Sequence, residues 1–462
     1  MTYPRAMRSL PPRHALVACC LAVACCAAAS VSAQVPNLPV LERRLSNGLR
    51  VLIQQDRRSP RVGVAIQYHV GFRTTPQGFR GLPHIVEHLM FTGSEHAPEG
   101  VAAYFEPAGG TDMNGETSQD ATTYYVELPA RELDLALWLE SDRMGYLITA
   151  LDEAKVARER SVVLQEWRER VSGRASGWLT EVVQQQIYPP GHPYHLVGDD
   201  PNHVASIRLA HVQRFLQQYY VPNNATIGIV GDVDPARALA SVERYFGSIP
   251  PSEEPVPTPA RAVVRFESGR FLAFEAPTYT DTVMLMWPTP PYLEADDATL
   301  DVVAKLLDRR LESMVGGALL SAGASQASHH LASEFTIALS FEPATDVRPY
   351  IAAVDQFLAQ LQSQTLRPEA LPEYREAASN WITRGYEGYD SRAMSLAMSP
   401  AEHVVAPFYL SSRYASLGVD DIRRVTSEWL PLDRRLVVHL RSVPAAPMGG
   451  RVAAAYQQQV AR

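Results

Sequence analysis

Two histidines four residues apart, His84 and His88, bracket a glutamate, Glu87, in the segment His84-Ile-Val-Glu-His. Four residues along an α-helix is 400°, so both imidazoles lie within about 40° of one face and can converge on one cation. Imidazole and carboxylate donors suit Zn²⁺, and a catalytic zinc site uses three protein ligands and an open position for water. Glu87 sits on the neighbouring flank. There it can take the proton of an attacking water without being a ligand, and pass it to a leaving amine. The spacing is the inverted zinc signature H-x-x-E-H. For five residues alone the alternative is a helix whose histidines cap or pack and whose glutamate is solvated, so the surrounding sequence has to decide.

The elements that would position these groups are legible around them. Residues 41–48 read as a strand reaching a turn, and 50–54 and 62–70 as β-rich runs. A helix starts near Leu82, with Pro83 suited to its first turn. Residues 122–128 form another strand, 131–147 and 153–169 are helical patterns, 225–233 is a buried strand and 235–245 a helix. Five of the eleven residues 249–259 are proline, which marks a stiff, extended boundary. Beyond it the order recurs: strands at 270–274 and 282–287, a helix at 295–312, a strand at 335–341, helices at 347–362 and 368–383, and a strand at 436–440. This predicts an α+β fold of two homologous domains, each a mainly antiparallel sheet packed with helices. The expected boundaries are 34–249, a linker at 250–262, 263–445, and a mobile tail at 446–462.

The flanking residues carry a resemblance. Gly81-Leu-Pro-His-Ile-Val-Glu-His-Leu-Met-Phe-Thr-Gly-Ser is similar to the active-site segment of the pitrilysin/insulinase (M16) zinc metallopeptidases. Gly109-Gly-Thr-Asp-Met-Asn-Gly-Glu-Thr-Ser, Glu159-Arg-Ser-Val-Val-Leu-Gln-Glu, His192-Pro-Tyr and Tyr219-Tyr-Val-Pro-Asn-Asn resemble further stretches of that family. The similarity covers most of residues 40–250. In the second half only the order of elements is similar.

The resemblance implies a third zinc ligand at Glu166, 78 residues after His88, and an accessory acid at Glu159, two helical turns earlier. For either glutamate alone the alternative is a solvated helix acid paired with Arg160 or Arg170. Asn114 matches the family's substrate-binding asparagine on an edge strand, where an extended peptide adds by main-chain hydrogen bonds. A turn asparagine before Gly115 is the alternative. Gly115 itself departs from the family's usual alanine. His192 and His195, in a Gly/Pro-rich loop, read as structural.

The resemblance also implies half of a clamshell chamber that takes peptide substrates, and an Arg/Tyr pair from a second-half domain. The strand at 333–341 carries no arginine, and Arg348 and Tyr350 lie beyond it at the wrong spacing. The chain therefore resembles the zinc-bearing subunit of a roughly 450-residue heterodimeric subfamily, similar to the mitochondrial processing peptidases, whose partner supplies the pair. A homodimer is the alternative. Two rival readings share the fold: a non-catalytic assembly subunit, which typically has lost part of the H-x-x-E-H set, and a peptide-binding module that keeps metal without turnover.

Composition fixes the setting. The chain has 462 residues, 46% hydrophobic and 20% charged, a globular balance suited to two or three domains. Arg5, Arg8 and Arg13 precede an apolar run from Ala15 to Val31 and the small residues Val31-Ser-Ala. That is a secretory signal pattern over residues 1–33, with cleavage after Ala33. A lipoprotein signal around Cys19 is the less favoured alternative. All four cysteines (Cys19, Cys20, Cys25 and Cys26) lie in this leader, so the processed chain has no disulfide and no thiolate metal site. Its formal charge of −8 becomes −11 without the leader arginines, which argues against nucleic acid as a partner. No other apolar run reaches the roughly 18–20 residues of a membrane span. A periplasmic or secreted zinc endopeptidase is the expectation.

Overall fold

The computed structural model describes residues 38–172, 176–254, 261, 263–363, 366–400 and 404–443. The signal-like leader and the tail at 446–462 lie outside these residues, as do 255–260 and 262 of the proline-rich stretch.

The first half runs β1 (Val40–Arg44), β2 (Arg50–Gln55), β3 (Arg61–Tyr68), α1 (Leu82–Leu89), α2 (Ala102–Phe105), β4 (Thr111–Thr117), β5 (Thr122–Pro129), α3 (Leu133–Ala150), α4 (Glu153–Trp167), α5 (Leu179–Ile187), α6 (Pro201–Ser206), α7 (Leu209–Tyr219), β6 (Ala225–Gly231) and α8 (Pro235–Phe246). The second runs β7 (Arg270–Ala276), β8 (Asp281–Thr289), α9 (Asp297–Glu312), β9 (Leu319–Ala327), β10 (Ser333–Phe341), α10 (Arg348–Ser363), α11 (Leu371–Gly385), α12 (Tyr389–Ala397), α13 (Pro407–Ala415), α14 (Val419–Trp429) and β11 (Leu436–Ser442).

One sheet has the order β1-β2-β6-β3-β5-β4 and the other β7-β11-β8-β10-β9. Among the described residues only β2 with β6 and β7 with β11 pair in parallel. With β1 set aside, the sheets correspond strand for strand, as the recurring element order predicts. The edge strands β4 and β9 were not legible from composition. β9 is mostly Ala, Ser and Gly, and takes its conformation from pairing with β10. The helix expected over 153–169 ends as an α-helix at Trp167 and continues as a π-helical turn over Arg168–Ser172.

Each half lends the other a helix. β6 is buried along its whole length, as a parallel-paired strand covered on both faces must be. One face packs the first-half core, where Val62, Val64, Ile227 and Ile229 meet Leu137, Val242 and Phe246. The opposite face meets α12: Leu52, Ala65 and Val230 pack on Tyr389, Ala393 and Leu396. The helix lies so close that a Cβ at Gly228 would fall 2.2 Å from the Ala393 carbonyl oxygen. In return, Leu179, Val183 and Ile187 of α5 pack with Met286, Leu436, Val438 and Leu440 of the second sheet.

A buried ion pair pins α12 in place. Arg392 donates to Asp56 Oδ2 at 2.5 Å, with side chains 7% and 2% exposed, and also to Gln54 Oε1. Burial would raise the Asp56 carboxyl, yet the Arg58 and Arg392 hydrogen bonds hold it well below the usual carboxylate range. Removing one member of a buried pair strands the other. Arg392→Ala is therefore expected to cost about 3 kcal/mol, the low end of the usual range because Arg58 still reaches Asp56. Urea unfolding checks this. Because Asp56 is depressed in the folded state, its contribution is full at neutral pH and is lost as pH falls below about 4. The variant should therefore show a flatter acid limb.

Candidate metal centre

Helix α1 presents the H-x-x-E-H segment. Gly81, at φ +101°, starts it, and a Cβ there would sit 2.3 Å from Val204 Cγ2, so only glycine fits. Pro83 occupies the first turn. Leu82, Ile85, Val86 and Leu89 enter the core, which fixes the rotation of the helix and turns His84 and His88 toward α4.

Three donor atoms then meet. His84 Nε2 and His88 Nε2 are 3.3 Å apart. Glu166 Oε2, on α4, lies 3.3 Å from the first and 3.6 Å from the second. A tetrahedral ion with bonds of about 2.0–2.1 Å has ligand–ligand edges of about 3.3–3.4 Å, so this triangle fits Zn²⁺. Glu87 also comes within reach, since atoms of His84, Glu87 and His88 lie within 4.8 Å of one another. Its Oε2, however, accepts a 2.6 Å hydrogen bond from Thr117 Oγ1 on β4, which holds the carboxylate on the flank. The better third donor is Glu166, whose one oxygen approaches both imidazoles.

Each histidine has a carboxylate behind it. Glu159 Oε2 stands 3.5 Å from His88 Nδ1, and Asp199 Oδ2 is 3.1 Å from His84 Nδ1. Burial alone would lower His84, but the Asp199 hydrogen bond and the charges of Asp199, Glu87 and Glu166 raise it above the ordinary imidazole value. Arg170 donates to Asp199 at 2.5 Å and Arg160 to the Ile207 carbonyl. The alternative pairing of those arginines with Glu159 or Glu166 is thus not what the structure has.

His84, Glu87, His88, Glu159 and Glu166 line a cavity of about 520 Å³ with Phe91, Thr92, Met113 and Asn114. Three carboxylates and two imidazoles converge there, and no lysine or arginine is among its lining residues. Asn114, on β4, lies opposite Tyr125 of β5, and the outer edge of β4 has no strand partner among the described residues. His192 and His195 stand apart. His192 stacks on Tyr188 and accepts the Tyr194 N–H, and His195 Nδ1 meets the Tyr188 carbonyl at 2.7 Å. Arg348 pairs with exposed Asp346, and Tyr350 packs on Phe341.

Asp199 and Thr117 were not singled out from sequence. Asp199 directly precedes Asp200, which caps α6 through the Asn202 and His203 N–H groups, so the pair reads as helix capping.

The sequence model described as insulinase (peptidase family M16) matches residues 50–193, and that described as the peptidase M16 inactive domain matches 206–378. The chain belongs to the M16 family. The M16 similarity thus extends into the second half, where element order alone had suggested it. The zinc protease PqqE of Helicobacter pylori is 29% identical over 299 residues, 62% of this chain and 65% of that protein. The mitochondrial-processing peptidase subunit beta of Saccharomyces cerevisiae is 25% identical over 236 residues, 49% of this chain and 48% of the subunit. The matches therefore span less than two thirds of either relative. A crystal structure of a protease from H. pylori shares the fold at TM-score 0.79 and 23% identity, over 87% of this chain and all of the other. Among the described residues no helix is long and apolar enough to cross a membrane.

Proposed function

We propose that this M16 protein is an exported zinc metalloendopeptidase acting on unfolded peptides. His84, His88 and Glu166 would hold one zinc ion, Glu87 would act as general base, and Glu159 would orient His88. The observation that carries the reading is the 3.3–3.6 Å triangle of two imidazole nitrogens and one carboxylate oxygen, with Glu87 tethered beside it by Thr117. The names of its relatives point the same way.

When bound, zinc acidifies a coordinated water and polarises a carbonyl. The chain's own residues do the rest. Glu87 takes a proton from the attacking water on the carboxylate oxygen that Thr117 leaves free, and returns it to the departing amine nitrogen. The open edge of β4 offers main-chain groups to an extended substrate, with Asn114 on that strand, which favours unfolded chains over folded ones. The leader pattern supports export to the periplasm or beyond. The lack of arginine on β10 supports a second subunit of the same family that completes the site.

The test is zinc analysis and cleavage of a quenched-fluorescent peptide mixture by residues 34–462. One zinc per chain is expected, with any cleavage lost to a chelator and restored by Zn²⁺. Absence of zinc uptake, or cleavage indifferent to the chelator, overturns the reading. Efficient cleavage by the chain alone removes the need for a second subunit.

A further inference from the structure

We infer that Asp199 is a positioning residue of the metal centre: one buried carboxylate that fixes the ring of His84 and ties it to the end of the element carrying Glu166. The inference rests on the zinc reading above.

His84 can offer Nε2 to a cation only if its ring proton sits on Nδ1. Asp199 Oδ2, 3.1 Å from Nδ1, selects that tautomer, because a carboxylate can only accept. The Asp199 side chain is fully buried, and its Oδ1 has no hydrogen-bond partner among the described residues. Burying a carboxylate is costly unless it is paired and hydrogen-bonded, and the partners of Asp199 are the His84 ring and the Arg170 guanidinium. Here both bonds fall on one oxygen. The second comes from Arg170, 2.5 Å away and half exposed, which reaches inward from the π-helical turn.

Arg170 is four residues beyond Glu166, one turn further along the same continuous element. Asp199 therefore joins the two elements that bring the donors together, α1 with His84 and the α4 end with Glu166. The Glu159 contact to His88 is longer, at 3.5 Å, and stays within one such pair of helices. Carboxylates behind metal-bound histidines set ring orientation, and losing one typically weakens metal binding about 10–100-fold.

The experiment compares wild type, Asp199→Asn and Arg170→Gln in the processed chain. Zinc Kd is measured by competition with a chromophoric chelator, and the visible spectrum after Co²⁺ substitution reports the ligand field. Asp199→Asn should raise the zinc Kd about 10–100-fold and shift the cobalt bands. Arg170→Gln should move both in the same direction by less. Should Asp199→Asn fail to fold, the half-exposed Arg170 carries the test. An unchanged Kd and spectrum in the folded variants overturns this inference alone. A wild-type chain that takes up no zinc overturns it together with the proposed function.

Discussion

Glu87→Gln should leave a protein that still carries zinc and no longer hydrolyses peptides. The amide keeps the size and the Thr117 contact of the carboxylate, but it cannot accept a proton from water. General-base assistance is worth about 10²–10⁴ in rate, and a fall in kcat of that size is expected. By donating to Oε2 at 2.6 Å, Thr117 occupies one oxygen and would leave the other for the water. The same bond keeps Glu87 out of the donor triangle, so zinc content should be unchanged. Peptide turnover and metal analysis on one preparation separate the possibilities. A variant that retains activity within tenfold sinks the general-base role. A variant that loses its zinc makes Glu87 a ligand, the arrangement that the proximity of His84, Glu87 and His88 also allows.

How much of this was legible depended on the range over which the information is stored. His84, Glu87 and His88 are local: helical geometry alone turns a five-residue spacing into a shared face, and Pro83 and Gly81 mark where the helix begins. Glu159 and Glu166 share a face for the same reason, but nothing local says that this face meets α1. Their assignment came from family resemblance, and the 3.3 Å approach of Glu166 to His84 is consistent with it. Asp199 could not be read at all. It sits in an irregular stretch beside a conventional capping residue, and its role depends on a fold that brings it 115 positions back to His84.

The fold divides in the same way. The central strands announce themselves by β-branched, buried runs, and the repeat of element order gives two similar sheets. The exchange of α5 and α12 was invisible, because an amphipathic helix shows that one face is covered without showing by which sheet. That exchange bears on the site. With α12 seated on the first sheet and α5 on the second, each half packs its own core on one side of its sheet and takes a helix of the other half on the opposite side. The β4 edge and the donor triangle are therefore held by a framework to which both halves contribute.

Glu166→Ala should abolish stable zinc binding, and with it all turnover, while the fold persists. Glu166 is 42% exposed by its side chain, so its removal leaves no cavity of consequence in the core. It does remove the carboxylate oxygen that, among the described residues, stands within 3.6 Å of both imidazoles. A catalytic zinc site uses three protein ligands, and two histidines alone leave half of the tetrahedron to solvent. The loss in affinity should exceed the about 10–100-fold that an orienting carboxylate contributes, and so be larger than for Asp199→Asn. Glu159→Gln is the internal comparison. At 3.5 Å from His88 Nδ1 and on the far side of that ring from the donor triangle, it should weaken zinc binding without abolishing it. Chelator competition on the three variants ranks them. The order Glu166→Ala far above Asp199→Asn, with Glu159→Gln no greater than the latter, follows from contact with the ion as against contact through a ring. An equal effect of Glu166→Ala and Glu159→Gln would mean that the third ligand has been misassigned.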